Sequence, residues 1–212
     1  MTYRPSTRDD QRPSETLTLL PPVNDPALSD ETARPAIGED GAPYLSIVAP
    51  AMNEEGNIAD LYAAIVAAVE PLGVTWELVL IDDGSSDGTW RVMNELVARD
   101  PRVIALRHRR NFGKARGLAT GFAVARGEII ITMDADLQDD PEEIARFLAM
   151  LDDGYDLVSG WKQRRQDPLG KTMPSRVFNA TVRRVSGVPL HDFNCGFKAY
   201  RAQVTQNIRL YG

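Results

Sequence analysis

Two aspartates separated by one residue, Asp134 and Asp136, are the side chains whose type and spacing point most directly to chemistry. They end an apolar run at residues 128–133 that is typical of a buried strand. Two carboxylates so placed can bind one hard divalent cation such as Mg²⁺ or Mn²⁺, often together with substrate phosphates. A cation there could bridge a diphosphate and neutralise it as a leaving group. The competing interpretation is a solvated turn, which a lone D-x-D motif does not exclude.

Other polar residues follow the earlier apolar runs. Asp82 and Asp83 end the run that begins at Trp76, where an acid can accept hydrogen bonds from ribose hydroxyls or a base N–H. Asn53 and Glu54 follow the first run, and Glu54 could cap a helix or contact a nucleotide. Four further residues are better explained as helix-start residues, namely Ser86, Asp87, Asp139 and Asp140.

Basic residues cluster in two stretches that could neutralise phosphates. The first spans residues 107–116 and includes Lys114, although a cluster of this kind is usually a solvated surface. The second spans residues 162–184, where the only acid is Asp167. It follows the last predicted strand, on the same sheet edge as the acidic loops. A phosphate-bearing substrate would suit that position.

The elements that must position these residues alternate regularly. The sequence predicts strands at residues 45–49, 76–81, 103–106, 128–133 and 155–159, with helices over about 58–69, 88–98, 114–126 and from Pro141 onward. Such alternation predicts parallel βαβ units with helices on both faces of the sheet, an α/β class whose ligands bind at the carboxyl ends of the strands. Gly113, Gly117 and Gly121 recur every four residues and give the third helix a small face for close approach to a strand or ligand.

Composition narrows the alternatives. The chain has 212 residues and a net charge of −6, which fits a globular domain and argues against a general nucleic-acid binder. No apolar run reaches the roughly 20 residues that cross a bilayer. No G-x-G-x-x-G or Walker A loop occurs, neither histidine lies in a nucleophile motif, and Cys195 is expected to be a small packed thiol. Residues 1–43, rich in proline, are predicted to be a disordered tail before a catalytic domain at residues 44–212.

Five motifs, in this order, resemble family 2 glycosyltransferases of the GT-A fold, and among them the dolichyl- or polyprenyl-phosphate sugar transferases. They are PAMNE at residues 50–54, DDGSSD at 82–87, RNFGK at 110–114, DADLQ at 134–138 and DFNCGFK at 192–198. The resemblance implies a Rossmann-like, mostly parallel sheet with helices on both faces. It also implies inverting transfer from a GDP- or UDP-sugar with Mg²⁺ or Mn²⁺ as cofactor.

The residues that the resemblance assigns fall into groups. Asp134, Asp136 and Gln138 are the metal ligands that it implies. The donor-binding group consists of Pro50, Asn53, Glu54, Asp82, Asp83, Lys114 and Asp134. The group around the acceptor phosphate consists of Lys162, Lys171, Ser175 and Arg176. The catalytic candidates are Asp136, Arg176 and Asp192.

The acceptor decides whether the reaction needs a base. A hydroxyl acceptor requires a residue that removes its proton, and Asp192 is the candidate for that role. A polyprenyl phosphate is already an oxyanion at neutral pH, because the second pKa of a phosphate monoester is about 6. In that case Asp192 orients the basic groups or is structural. The alternatives to a polyprenyl-phosphate acceptor are a sugar or protein hydroxyl, or a non-catalytic module that binds nucleotide sugars.

The resemblance also bears on location and length. It implies a peripheral protein at the cytoplasmic membrane face, near its lipid acceptor. Relatives of this kind continue past the G-F-K segment at residues 196–198, with a further basic motif and often with membrane-associated helices. We therefore expect the domain at residues 44–212 to be C-terminally incomplete, or to work with a membrane surface or membrane subunit.

Overall fold

The computed structural model of the chain describes residues 18–19, 41–160 and 195–207. Within the segment 1–43 it describes a two-residue strand, β1 (Thr18–Leu19), and residues 41–43. The predicted disordered tail therefore stays a prediction. The first long strand begins at Leu45.

Seven strands of the described residues form one mixed sheet, in the order β1-β6-β7-β5-β2-β3-β4. After β1 these are β2 (Leu45–Ala51), β3 (Trp76–Asp82), β4 (Val103–Arg107), β5 (Ile129–Thr132), β6 (Leu157–Ser159) and β7 (Lys198–Arg201). β2 pairs in parallel with β3 and β5, and β3 pairs in parallel with β4. β7 lies between β5 and β6 and runs antiparallel to both.

The expected α/β class with a mostly parallel sheet is confirmed, and each predicted strand is present with only its ends shifted. Two strands run against the direction of the parallel βαβ units: β7 is antiparallel to β5 and β6, and β1 is antiparallel to β6. The residues of β7 are Lys-Ala-Tyr-Arg, which is not an apolar run, so this segment has no strand signal.

Helices cover both faces of the sheet, as predicted. In the described part of the chain they are α1 (Ile58–Val69), α2 (Thr89–Arg99), α3 (Lys114–Val124), α4 (Ile144–Asp152) and α5 (Ala202–Asn207). α1, α2 and α4 pack on one face, against side chains such as Ile47. α3 and the start of α5 pack on the other face, against Val48 and its neighbours. Consecutive residues of one strand thus serve two different cores. No helix among these is long and apolar enough to cross a bilayer.

The helix α3 packs so closely on the sheet that a side chain would not fit at two of its glycines. A Cβ on Gly117 would lie 3.0 Å from Cβ of Pro50, and a Cβ on Gly121 would lie 3.1 Å from Cδ1 of Ile81 and collide with Val48. The predicted small face is therefore confirmed at Gly117 and Gly121, which meet β2 and β3. It does not include Gly113, which precedes the helix and where a Cβ would meet nothing within 4 Å. Because Lys114 is the first residue of α3, this packing fixes the position of its backbone relative to the sheet.

A buried carboxylate secures the opposite, amino edge of the sheet. Glu77 accepts hydrogen bonds from Ser46 Oγ at 2.7 Å, from the Arg126 backbone N–H at 2.8 Å and from the Arg126 guanidinium at 2.7 Å. Gly127 in turn donates its N–H to Ser46 Oγ at 2.8 Å. These contacts tie the connection between α3 and β5 to β2 and β3. The start of β5 is thereby held in register with its neighbours.

Candidate active site

Four loops meet at the carboxyl edge of the parallel strands, at residues 52–57, 83–88, 108–113 and 133–140. The loops after β3 and β4 contact each other through their backbones. The contact is so close that a Cβ on Gly84 would lie 2.6 Å from the backbone nitrogen of Asn111. Gly84 also has a φ of +78°, a conformation that glycine adopts without strain. The predicted convergence of the polar loops on one edge is therefore present in the fold.

Asp83 braces the loop after β4. One carboxylate oxygen accepts the N–H of Phe112 at 2.9 Å, and the other accepts the N–H of Gly113 at 2.8 Å. Nδ1 of His108 lies 2.7 Å from the first oxygen. Burial raises the pKa of the Asp83 carboxyl, but the hydrogen bonds from Phe112, His108 and Gly113 more than offset this effect, so its pKa lies below the usual value.

His108 links that carboxylate to α3. Its Nε2 lies 2.9 Å from Oγ1 of Thr120, while its backbone N–H donates to the carbonyl of Asp82 at 2.8 Å. The ring of Phe112 meets the imidazole edge-on, with a centroid separation of 5.5 Å. The imidazole therefore connects the ends of β3 and β4 to the middle of α3.

Asp82 is fully buried and engaged with the protein. Its Oδ1 accepts the N–H of Ser85 at 2.8 Å, and its Oδ2 lies 2.9 Å from Nε of Arg107. Arg107 also donates to the carbonyl of Ser85 at 3.1 Å. This placement favours a role in shaping the loop after β3. A contact between Asp82 and a donor nucleotide stays a prediction.

Asn53 ties the loop after β2 to the loop after β3. Its backbone has a φ of +58°, its N–H donates to Ser85 Oγ at 2.9 Å, and its Oδ1 accepts the N–H of Ser86 at 2.9 Å. The neighbouring Glu54 is half-buried, and its Oε2 accepts a hydrogen bond from Nδ2 of Asn57 at 2.6 Å. Glu54 thus lies beside the start of α1 while keeping carboxylate surface at the sheet edge.

The helix-start interpretations hold for two of the four residues. Asp87 accepts the N–H of Thr89 at 3.0 Å at the start of α2. Asp140 accepts the N–H of Glu142 at 3.0 Å, in a 3₁₀ turn that leads into α4. Ser86 instead contacts Asn53. The interpretation was also wrong for Asp139, whose Oδ2 accepts the N–H of Asp134 and closes the turn after β5.

Asp134 lies at the exit of β5, and Lys114 reaches it from the first residue of α3. The lysine Nζ forms an ion pair with Oδ1 of this aspartate, and both side chains retain solvent exposure. Gly196 lies against the pair: a Cβ there would be 2.7 Å from Oδ2 of Asp134 and would also collide with the ammonium. Thr132 holds this segment by donating from Oγ1 to the Gly196 carbonyl at 2.7 Å.

Asp136 and Gln138 stand on the same turn as Asp134. Oδ1 of Asp136 accepts the N–H of Gln138 at 3.1 Å, and Leu137 between them has a φ of +61°. Asp136 is partly exposed and Gln138 is exposed. The turn therefore keeps two carboxylates and one amide accessible at the carboxyl edge.

The donor chemistry of this turn fits a hard divalent cation. Carboxylate and amide oxygens are the ligands that Mg²⁺ and Mn²⁺ favour, and such cations usually take only one or two carboxylates with phosphates and water completing the shell. Within the described ranges, no group of three or more His, Cys, Asp or Glu residues could hold a metal. The two aspartates and the amide fit a cation that takes further ligands from phosphate and water.

Several predicted residues lie outside the described part of the chain. These are Lys162, Lys171, Ser175, Arg176 and Asp192. Their assignments to the acceptor phosphate and to catalysis stay predictions. Cys195, by contrast, is buried as expected.

Sequence reasoning missed two participants in this edge. His108 follows β4 directly, and this position at the end of a predicted strand is a signal that could have identified it. Gly196 stands beside Asp134 only because β7 pairs antiparallel with β5. The motif at residues 192–198 includes Gly196, but no local pattern indicates the antiparallel pairing that brings this glycine to Asp134.

The sequence profile described as "Glycosyl transferase family 2" matches residues 46–209. An undecaprenyl-phosphate 4-deoxy-4-formamido-L-arabinose transferase from Shewanella sediminis is 39% identical over 164 residues, which is 77% of this chain and 50% of the relative. A protein of the same description from Salmonella paratyphi A is 39% identical over 168 residues, covering 78% and 51%. The chain thus spans about half the length of these curated relatives.

Solved structures share the fold. A mannosyltransferase from Pyrobaculum calidifontis in complex with GDP-Man and Mn²⁺ superposes with a TM-score of 0.54 at 20% identity, covering 81% of this chain and 48% of that one. Glucosyl-3-phosphoglycerate synthase from Mycobacterium tuberculosis, in complex with Mn²⁺, UDP and phosphoglyceric acid, superposes with a TM-score of 0.56 at 22% identity, covering 76% and 57%. These neighbours confirm the GT-A fold.

Proposed function

The chain belongs to glycosyl transferase family 2, and from that premise we propose that it moves a sugar from a nucleotide-sugar donor to a polyprenyl phosphate. The observation that carries this proposal is the turn after β5, where Asp134 and Asp136 stand at the sheet edge beside Lys114. Carboxylates and a lysine at one edge suit a cation and a diphosphate together.

The donor would lie across the carboxyl edge. Asp134 and Asp136, with the amide of Gln138, are the residues that would hold Mg²⁺ or Mn²⁺. Such a cation, when bound, neutralises the charge that develops on a departing diphosphate. Lys114 would contribute a second positive charge from the start of α3, and Glu54 would face the nucleoside from the start of α1. A GDP- or UDP-sugar satisfies this arrangement.

A phosphate acceptor, unlike a hydroxyl acceptor, needs no catalytic base. In the transfer, an acceptor oxygen forms a bond to the anomeric carbon while the bond from that carbon to the donor diphosphate breaks, with inversion at the carbon. A phosphate oxygen is already anionic at neutral pH, so no residue has to remove a proton. The relatives that are 39% identical are described as undecaprenyl-phosphate sugar transferases, which supports the same acceptor class.

The same edge suits a membrane surface. Met52, Phe112 and Leu137 are large hydrophobic side chains that remain exposed, and all three lie on the loops of this edge. A polyprenyl chain is held in the bilayer, so an enzyme that uses it must meet the lipid surface. We therefore place the protein at the cytoplasmic membrane face, with these loops toward the lipid.

An assay of Asp136→Asn tests the proposal. We expect turnover of a nucleotide sugar with a polyprenyl phosphate and Mn²⁺ to fall about 100-fold or more, because metal stabilisation of a transition state amounts to several kcal/mol. The matched control is Asp140→Asn, because this residue starts the 3₁₀ turn and asparagine is an equally good cap. The control should retain wild-type turnover.

Three outcomes would contradict the proposal in different ways. Unchanged turnover in Asp136→Asn would show that Asp136 is not needed for a catalytic metal. Product with a sugar or protein hydroxyl but none with a polyprenyl phosphate would show that the acceptor is a hydroxyl. Mn²⁺-dependent nucleotide binding with no product from any acceptor would indicate a binding module instead of an enzyme.

A further inference from the structure

The ion pair between Lys114 and Asp134 engages a carboxylate that would hold the metal. Nζ of the lysine contacts Oδ1 of this aspartate directly. An ammonium and a divalent cation repel each other strongly at the distances that separate two ligands of one carboxylate. The lysine and the cation therefore cannot both sit on this carboxylate without a large electrostatic cost.

Both partners of the pair have a fixed backbone. Lys114 follows Gly113, whose N–H is held by Asp83 at 2.8 Å, and the helix it begins packs tightly on β2. Asp134 donates its own N–H to Asp139 Oδ2 at 2.8 Å. Gly196 closes one side of the pair and leaves no space for a side chain. The flexible four-carbon stem of the lysine can therefore change position while both backbones stay in place.

The exposure of the pair leaves the lysine a route away from the aspartate. The side chain of Lys114 is 46% exposed and that of Asp134 is 28% exposed. A diphosphate arriving at this edge offers the ammonium several anionic oxygens in place of one carboxylate. Withdrawal of the lysine then frees Oδ1 at the moment when the phosphates supply further ligands for a cation.

We propose that Lys114 is a positioning residue that competes with the divalent cation for Asp134, and that the donor diphosphate ends this competition by drawing the ammonium onto itself. The proposal rests on the proposed function and adds an order of events to it. The protein without donor binds the cation weakly, and donor and cation strengthen each other's binding beyond their direct contact.

Binding of Mn²⁺ alone, followed by the electron paramagnetic resonance signal of the free ion, tests the competition without any assay of activity. In Lys114→Met we expect Mn²⁺ to bind about tenfold more tightly than in the wild type, because a neighbouring positive charge has been removed. Lys114→Arg keeps the charge and should stay close to the wild type. Arg116→Met removes a positive charge from the same helix and controls for the overall electrostatic potential. It should change the Mn²⁺ affinity far less than Lys114→Met does.

A second titration, with UDP or GDP present, tests the coupling. The ratio of Mn²⁺ affinities with and without nucleotide should be several-fold smaller in Lys114→Met than in the wild type, because the variant has no competition to relieve. An unchanged ratio, or equal affinity shifts in Lys114→Met and Arg116→Met, would overturn the inference.

The variants also separate this inference from the proposed function. Wild-type Mn²⁺ binding that is lost in Asp136→Asn but unaffected by Lys114→Met would refute the competition and leave the metal site standing. No Mn²⁺ binding by any variant, with or without nucleotide, would refute both.

Discussion

Asp83 shows how a single carboxylate can set the shape of a loop. Two backbone N–H groups and an imidazole converge on its two oxygens, and all of the donors come from the segment after β4. An asparagine would offer only one acceptor oxygen and would turn an amide N–H toward a backbone N–H. The residue therefore has to be an ionised acid for this loop to close.

Replacing Asp83 with asparagine should destabilise the protein by about 1 to 3 kcal/mol, because a buried donor loses its acceptor. The pKa of Asp83 is lowered in the folded protein. The ionised carboxylate therefore contributes fully to the free energy of unfolding above the usual carboxyl pKa range, and this contribution is lost as the pH falls through the pKa of the folded state. Urea unfolding measures the difference in free energy of unfolding between the wild type and Asp83→Asn. This difference should become smaller as the pH is lowered from about pH 7 to below about pH 4.

The exposed acid Asp60, in the first turn of α1, provides the control. Asp60→Asn should change the free energy of unfolding by no more than about 0.5 kcal/mol. A stability gap for Asp83→Asn that stays constant, or grows, as the pH falls would contradict the account of this carboxylate.

Residue type and position after a strand identified Asp134, Asp136 and Asp83 as residues of the sheet edge. The same information could not tell that Asp83 faces backbone N–H groups of a loop about 30 residues later in the chain, at Phe112 and Gly113. Which partner a carboxylate takes depends on how the loops fold together. A one-dimensional pattern therefore locates such a residue without assigning its partner.

At the scale of elements, α3 positions the candidate site by its distance from the sheet. Gly117 and Gly121 let the helix axis approach β2 and β3, and this approach places Lys114 within reach of Asp134. The four-residue spacing of glycines made the small face predictable from the sequence. β7 was not predictable in this way, because antiparallel insertion between β5 and β6 depends on pairing far along the chain.

Gly121→Ala should reduce the free energy of unfolding by about 1 to 3 kcal/mol, because its new methyl group collides with Val48 and crowds Ile81. Gly56→Ala is the matched control, since a Cβ at Gly56 meets nothing within 4 Å. Equilibrium urea unfolding of both variants measures the difference. Equal stability of the two variants would show that α3 does not pack as closely as the fold implies.

At the scale of the whole molecule, the residues proposed to bind the donor and the metal lie on loops at one edge of the sheet. Five strands, β2 to β6, end at this edge. The turn after β5 lies near the middle of the sheet, because β5 pairs with β7 on one side and β2 on the other. The family match covers residues 46–209, while the curated relatives extend to about twice the matched length. The described residues thus account for the donor and metal side of the proposal, and the predicted acceptor residues belong to the segment 161–194 outside them.

Anomalous diffraction at the manganese edge, from crystals of the chain soaked with Mn²⁺ and UDP or GDP, tests the central claim most directly. We expect one strong peak within coordination distance of both Asp134 and Asp136 and in contact with the nucleotide diphosphate, and we expect this peak to disappear in Asp136→Asn. A peak elsewhere on the molecule, or a bound nucleotide with no cation at the turn after β5, would contradict the account.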